Sequence, residues 1–255
     1  MNSFPAIEID KVKAWDFRLI DENTAESLNV AYGVDSNYLD GVGVSITSIV
    51  INNRHVNLDF YIIADVYNDD FFQKVEKLAE QYQLRITLYR INTDNLQCLP
   101  CTQVWSRAMY FRLFAFQLLG VTLNRLLYLD ADVVCKGNIS QLLHLEFNGA
   151  VAAVVRDVDP MQEKAVVRLS DPELRGQYFN SGVVYLDLKK WTEAKLTEKA
   201  LSILMSKDSI YKYPDQDVMN VLLKGMTIFL PREFNTIYTI KSCLLYTSPS
   251  PRDTE

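Results

Sequence analysis

The stretch Arg125-Leu126-Leu127-Tyr128-Leu129-Asp130-Ala131-Asp132-Val133-Val134 constrains the fold more than any other part of the chain. Its apolar run has the length and the branched, aromatic makeup of a buried strand that ends at the turn Lys136-Gly137-Asn138. In extended backbone the side chains at i and i+2 point the same way, so Asp130 and Asp132 are expected on one side. Two carboxylates at the end of a strand make a poor core. They suit a hard cation, Mg²⁺ or Mn²⁺, that also coordinates substrate phosphates. Taken by itself, Asp-x-Asp also reads as an ordinary acidic turn, because Asp is common where strands end.

Around this run, strand-like and helix-like stretches alternate. Leu28–Val34 reads as a strand ending at Asp35-Ser36-Asn37, and Leu39–Asn52 as the helix after it. Leu58–Ala64 is a second strand. Phe71, Val75, Leu78 and Tyr82 then recur at helical spacing behind a cap at Asn68 or Asp69. Leu84–Tyr89 alternates as a third strand, and 104–119 reads as a largely apolar helix carrying Arg107 and Arg112. Beyond the aspartate pair, a strand is expected at 150–155 and polar connecting structure at 157–172. A turn feeding a strand follows at 178–188, then an amphipathic helix at 192–206. A helix opens at Asp215, and 226–230 returns to the sheet. This order predicts an α/β fold whose mostly parallel sheet is flanked by helices on both faces.

The totals fit one large domain, with 255 residues of which 49% are hydrophobic. Residues 1–26 read as an N-terminal appendage laid against a domain spanning 27–240. Residues 241–255 lack periodicity, carry Ser248-Pro249-Ser250-Pro251, and read as a non-native or disordered tail. A net charge of −6 opposes a general nucleic-acid binder, so no nucleic-acid partner is expected. Every apolar run stops short of the roughly 18–20 residues of a membrane span. The first residues lack a basic region followed by an apolar one, which leaves the cytoplasm as the expected location. Cys98-Leu99-Pro100-Cys101 has redox or zinc spacing. Zinc needs about four ligands and no second pair exists, so ordinary loop cysteines are expected.

In parallel α/β sheets, ligands collect at the carboxyl ends of strands. Asp35/Asn37, Asp130/Asp132, Asn180/Ser181 and Asp215/Gln216/Asp217 all fall at such ends or at helix starts. Each alone also reads as a turn or a cap: Asn180-Ser181-Gly182 is good turn chemistry, and Asp215 is a natural helix opener. Their convergence points to a site. There is no Gly-x-Gly-x-x-Gly, no Gly-x-x-x-x-Gly-Lys and no Gly-x-Ser-x-Gly. A phosphate-bearing ligand is therefore expected to be held by metal and side chains, with Arg107 and Arg112 as the cationic partners.

Together, Tyr32-Gly33-Val34-Asp35-Ser36-Asn37-Tyr38, Tyr110-Phe111-Arg112-Leu113, Tyr128-Leu129-Asp130-Ala131-Asp132, Phe179-Asn180-Ser181-Gly182 with Leu188-Lys189-Lys190-Trp191, and Pro214-Asp215-Gln216-Asp217 resemble glycosyltransferase family 8. The match runs in order from about residue 28 to 240 and is closest to the branch acting on the bacterial lipopolysaccharide core. The resemblance implies a GT-A, Rossmann-like fold and a retaining hexosyltransferase. Its donor would be UDP-glucose or UDP-galactose, its acceptor the lipopolysaccharide core, and its cofactor Mn²⁺ or Mg²⁺. It implies that Asp130 and Asp132 bind the metal, and that Asp35 and Asn37, with Gly33 in the same motif, meet the uridine end of the donor. Arg112 would hold the sugar or diphosphate. Asn180, Ser181, Asp215 and Gln216 would touch the donor sugar, with Gln216 and Asp215 carrying the catalytic role. Retention would proceed through a carboxylate (Asp215 or Asp217) or by attack on the face from which UDP departs, and the second route is favoured.

The family also places a third metal ligand, a histidine in a His-x-x-Gly-x-x-Lys-Pro-Trp-like stretch, near the end of its catalytic domain, followed by a basic helical region that contacts the membrane. Neither is matched here, and His55 and His144 lie in other segments. The expectation is a C-terminally truncated transferase domain, cytoplasmic and peripheral to the inner membrane. The alternatives are an inactive nucleotide-sugar-binding fragment and a metal-dependent phosphohydrolase.

Overall fold

A computed structural model describes residues 7–18, 26–101, 106–206 and 211–237. The expected tail at 241–255 and the start of the helix expected at 104 lie outside them. Among the described residues, eight strands form one sheet: β1 (Ile9–Asp16), β2 (Leu28–Val34), β3 (Leu58–Ala64), β4 (Arg85–Ile91), β5 (Arg125–Leu129), β6 (Ala152–Arg156), β7 (Phe179–Asp187) and β8 (Thr227–Phe229). Their spatial order is β1-β4-β3-β2-β5-β7-β6-β8. The helices are α1 (Leu39–Asn52), α2 (Asp69–Tyr82), α3 (Phe111–Leu119), α4 (Asp159–Arg168), α5 (Leu188–Glu193), α6 (Leu196–Leu204) and α7 (Pro214–Leu222).

The period-two alternation of strands divides the core between the two faces. In β5, Leu126 and Tyr128 face a cluster with α3, α5, α6 and α7, whereas Leu127 and Leu129 face α1 and α2. Phe116 stands edge-on to both Tyr128 and Trp191, with ring centroids 5.6 and 5.0 Å apart. The buried Trp191 indole donates to Thr197 Oγ1 at 2.9 Å, so its one polar atom is satisfied.

The sheet is mixed and mostly parallel. β2–β3, β3–β4, β2–β5 and β6–β8 run parallel, whereas β1–β4, β5–β7 and β6–β7 run antiparallel. The reversal of β7 matters for function. It brings the start of β7 to the sheet edge where β2, β5 and β6 finish, with Leu129 opposite Val183 and Val155 opposite Asn180.

Several elements differ from the sequence reading. Residues 9–16, expected within an appendage, are an edge strand of the sheet. Only Trp15 is buried there, and the charges at Asp10, Lys11 and Lys13 suit an exposed edge. Residues 159–168, expected as connection, form α4. Only Gln162 and Ala165 are buried on it, so its apolar period is faint, although Asp159-Pro160 is a helix-start signal. The helix expected over 192–206 is divided in two by Lys195, whose φ of 51° is left-handed. Cys98 closes a 3₁₀ turn and opens no helix. No helix among the described residues is long and apolar enough to cross a membrane.

Candidate active site

Asp130 leaves β5 still in register, its N–H donating to Gly182 O at 2.9 Å. The chain then turns, with Val133 N–H donating back to Asp130 O at 3.2 Å. Strand alternation therefore does not reach Asp132, and the two acids are brought near one another by a turn. Asp132 is exposed. The Asp130 carboxyl is pushed up to about 6, first by burial and also by the charges of Asp215 and Asp132, against the pull of Arg112. The backbone at Gly182 makes room for it: a Cβ there would stand 2.9 Å from Asp130 Oδ2.

Arg112, in the first turn of α3, is 4% exposed and fully engaged. Its Nη1 donates to Ser181 O at 2.6 Å and its Nη2 to Asp130 Oδ1 at 2.8 Å. Its Nε donates to Met109 O at 3.1 Å and lies 3.1 Å from Asp215 Oδ2. Burial opposes the charge, but Asp130 and Asp215 outweigh it and raise the guanidinium's pKa. One cation thus ties together the ends of β5, β7 and α7. Gly33 serves the same packing, since a Cβ on it would come within 2.8 Å of Phe111 Cβ and 3.2 Å of Arg112 N.

Asp215, Gln216 and Asp217 open α7, and all three are buried. Ser181 Oγ donates to Asp215 Oδ2 at 3.3 Å. Gln216 Oε1 accepts from Asn180 Nδ2 at 3.2 Å and Ser181 N–H at 3.1 Å. Its Nε2 donates to Asp157 Oδ2 and to the Tyr178 hydroxyl, both at 3.0 Å. Asp217 is 0% exposed and accepts from Arg168 Nη2 and Nε, the Tyr178 hydroxyl, and the Lys212 and Tyr213 N–H groups. Asn220 ties α7 to β7, accepting from Phe179 N–H at 2.7 Å and donating to Phe179 O at 2.9 Å.

Asp35 and Asn37 sit at the end of β2. Asp35 Oδ1 caps the turn by accepting from Asn37 N–H at 3.0 Å, and its Oδ2 accepts from Ser106 Oγ at 2.8 Å. Among the described residues they share no hydrogen bond with the Arg112 cluster. Arg107 begins a neighbouring 3₁₀ turn, and its buried Nε has no hydrogen-bond partner among the described residues.

A sequence profile described as Glycosyl transferase family 8 matches residues 29–253. The chain belongs to glycosyltransferase family 8. It is 88% identical over 242 residues to lipopolysaccharide 1,2-glucosyltransferase of Escherichia coli K12, covering 95% of this chain and 72% of that protein. A second Escherichia coli lipopolysaccharide 1,2-glucosyltransferase is 42% identical over 238 residues, covering 92% of this chain and 68% of its own length. Among solved structures, the galactosyltransferase LgtC in complex with donor and acceptor sugar analogs superposes with a TM-score of 0.68 at 22% identity. That match covers 80% of this chain and 74% of the other. The fold is GT-A, and the protein is a glycosyltransferase.

The transferase fits a divalent cation by donor chemistry. Among the described residues no three His, Cys, Asp or Glu side chains converge on a metal. Mg²⁺ takes one or two carboxylates together with waters and substrate phosphates, which is what Asp130 and Asp132 offer. A cavity of about 520 Å³, lined by Val155, Asp157, Asp159, Pro160, Leu230 and Arg232 among others, adjoins Gln216 through Asp157. A second, of about 530 Å³, lies between β1 and the starts of β3 and β4 and includes none of the candidate residues.

Asp157, Tyr178, Arg168, Asn220 and Ser106 were not singled out in the sequence. Asp157 had a signal, since it ends an apolar strand run as Asp35 and Asp130 do. The others had none, because their partners lie 10 to 71 residues away.

Proposed function

We propose that the chain is a retaining hexosyltransferase that moves glucose from UDP-glucose to the lipopolysaccharide core, with residues 27–240 as its catalytic unit. The observation that carries this reading is the Arg112 clamp, which draws Asp130, Ser181 and Asp215 into one cluster beside Gln216. The name of the 88%-identical relative supports glucose and the lipopolysaccharide core over galactose. Asp130 and Asp132 would hold Mn²⁺ or Mg²⁺, which would supply Lewis-acid stabilisation of the negative charge on the departing diphosphate.

The chain's own residues do the rest. Arg112 neutralises two acids that would otherwise repel an anionic donor. Asp35 and Asn37 receive the uridine, and Asn180, Ser181 and Asp215 receive the sugar. Gln216 stands beside the carbon that becomes cationic as the sugar–phosphate bond breaks, and its carbonyl oxygen, held by Asn180 and Ser181, supplies a fixed partial negative charge there. Asp217, sealed by five donors, has no lone pair to attack with. Asp215 Oδ2 is shared between Arg112 and Ser181. These constraints favour the same-face route: the acceptor oxygen bonds to the anomeric carbon as the phosphate oxygen leaves, and the acceptor proton passes to that phosphate. The acceptor enters by the cavity beside Asp157. The proposed place of action is cytoplasmic, at the membrane surface that carries a lipid-linked acceptor.

The test is transfer of labelled hexose from UDP-glucose and UDP-galactose to isolated core lipopolysaccharide. Transfer from UDP-glucose that EDTA abolishes, Mn²⁺ restores, and Asp130→Asn or Asp132→Asn removes with folding intact is the expected result. Unchanged activity in both variants sinks the metal role, and metal-dependent UDP-glucose binding without transfer sinks the transferase reading of this chain.

A further inference from the structure

We infer that Tyr178 is a positioning residue that decides which way the Gln216 amide faces, and that Arg168 and Asp217 reach the site through it. The inference rests on the reading above that Gln216 meets the donor sugar. Its geometry is a directional relay of hydrogen bonds, Arg168 to Asp217 to Tyr178 to Gln216.

The direction follows from proton counting. Asp217 is fully buried and faces the Arg168 guanidinium, with Nη2 at 2.5 Å and Nε at 3.3 Å from its oxygens. An ionised carboxylate only accepts. The Tyr178 hydroxyl carries one proton and donates it to Asp217 Oδ1 at 2.6 Å. Its oxygen is left with two lone pairs, one accepting from Arg168 Nη2 at 3.4 Å and the other facing the Gln216 amide at 3.0 Å. A carbonyl oxygen there would meet a lone pair, so the amide turns Nε2 toward Tyr178. That forces Oε1 toward Asn180 and Ser181, on the side where the sugar carbon gains positive charge. A flipped amide would present N–H groups to that charge.

Asp157 asks for the same orientation, accepting from Nε2 at 3.0 Å. Asp157, however, lines the cavity through which an incoming hydroxyl would compete for its oxygens. Tyr178 is 0% exposed, in a small cluster with Ala165, Leu169 and Leu174, and has no such competitor. The buried phenol on the Nε2 side is therefore the side-chain partner that, with the Ser181 N–H on the Oε1 side, keeps the amide in place when the cavity fills.

Tyr178→Phe removes the hydroxyl and keeps the ring, whereas Leu174→Ala opens a void beside that ring and leaves the relay intact. Two readouts separate the possibilities. One is the side-chain amide ¹H–¹⁵N signal of Gln216, identified by its disappearance in Gln216→Met, together with its hydrogen-exchange rate. The other is the affinity for UDP-glucose relative to UDP, each titrated with Mn²⁺. In Tyr178→Phe we expect the amide signal to shift and exchange to accelerate roughly tenfold, as for loss of one buried hydrogen bond. The advantage of UDP-glucose over UDP should fall by a similar factor while UDP itself binds as before. Leu174→Ala should lower the Tm and move neither readout. An unshifted amide in Tyr178→Phe, an undiminished UDP-glucose advantage, or an equal response in Leu174→Ala overturns the inference. Failure of the wild type to bind UDP overturns the transferase reading instead, and the amide signal still decides the relay by itself.

Discussion

Arg112→Met removes every donor of the clamp while keeping an apolar stem against Tyr128, whose ring lies 4.8 Å from the guanidinium carbon. The side chains of Arg112, Asp215 and Asp130 are 5%, 12% and 37% exposed. Deleting one member of a buried ion pair costs roughly 3–5 kcal/mol, because the remaining charge is left unpaired. Asp215 incurs that cost nearly in full. Asp130 is wet enough to add only the ~0–1 kcal/mol of an exposed pair. The total should therefore fall near 4 kcal/mol, on the order of the buried-pair figure. At ~2–4 °C per kcal/mol for a domain of this size, the Tm should drop by roughly 8–16 °C.

The assay is calorimetry at pH 7 without metal, with Arg112→Met, Asp215→Asn and the double variant side by side. The double variant should recover a large part of the loss, because the orphaned carboxylate is gone. The pH dependence has a definite sign. An acid whose folded pKa lies above its unfolded value contributes stability at low pH that is lost as pH rises through the folded pKa. Asp130, at about 6, already behaves this way, and without the pull of Arg112 it should move further up. The deficit of Arg112→Met should thus shrink between pH 7 and pH 5. A loss below ~1 kcal/mol, the level of an ordinary surface pair, or a double variant no better than the single, refutes the clamp.

Because Asp130 takes up a proton near pH 6, Mn²⁺ affinity should weaken about tenfold per pH unit below that point, which Mn²⁺ electron paramagnetic resonance at pH 7, 6 and 5 can follow. A flat profile would mean that Asp130 does not ligate. Gly182→Ala places a methyl 2.9 Å from Asp130 Oδ2 and 3.0 Å from Asn180 Oδ1, so metal binding should weaken more than the Tm falls. Gly33→Ala meets Phe111 Cβ at 2.8 Å and should cost ~1–3 kcal/mol of stability by overpacking, seen in urea unfolding.

Much of the fold was legible in the chain. β2, α1 and β3 have in the structure the bounds the sequence gives them, and α2 follows the helical spacing behind a cap the sequence leaves between Asn68 and Asp69; the signals are local, and the cap is Asn68, whose side chain accepts from Phe71 N–H at 2.7 Å. β1 and α4 were not, since one exposed edge strand and one thinly buried helix carry almost no hydrophobic period. The candidate site was legible as separate acidic and amide clusters at the ends of elements.

What those clusters do to one another was decided only by tertiary structure. No local pattern announces that β7 runs antiparallel, yet that reversal brings Asn180 and Ser181 beside Asp130. Arg112 reads in sequence as a ligand for phosphate, but folding spends its donors on Asp130, Ser181, Met109 and Asp215. Periodicity and caps depend on neighbours a few residues away, so the amino-acid order alone determined the strands, helices and acidic ends. A buried charge and an oriented amide take their partners from 38 or 69 residues along the chain, and only the closed sheet brings such partners within reach.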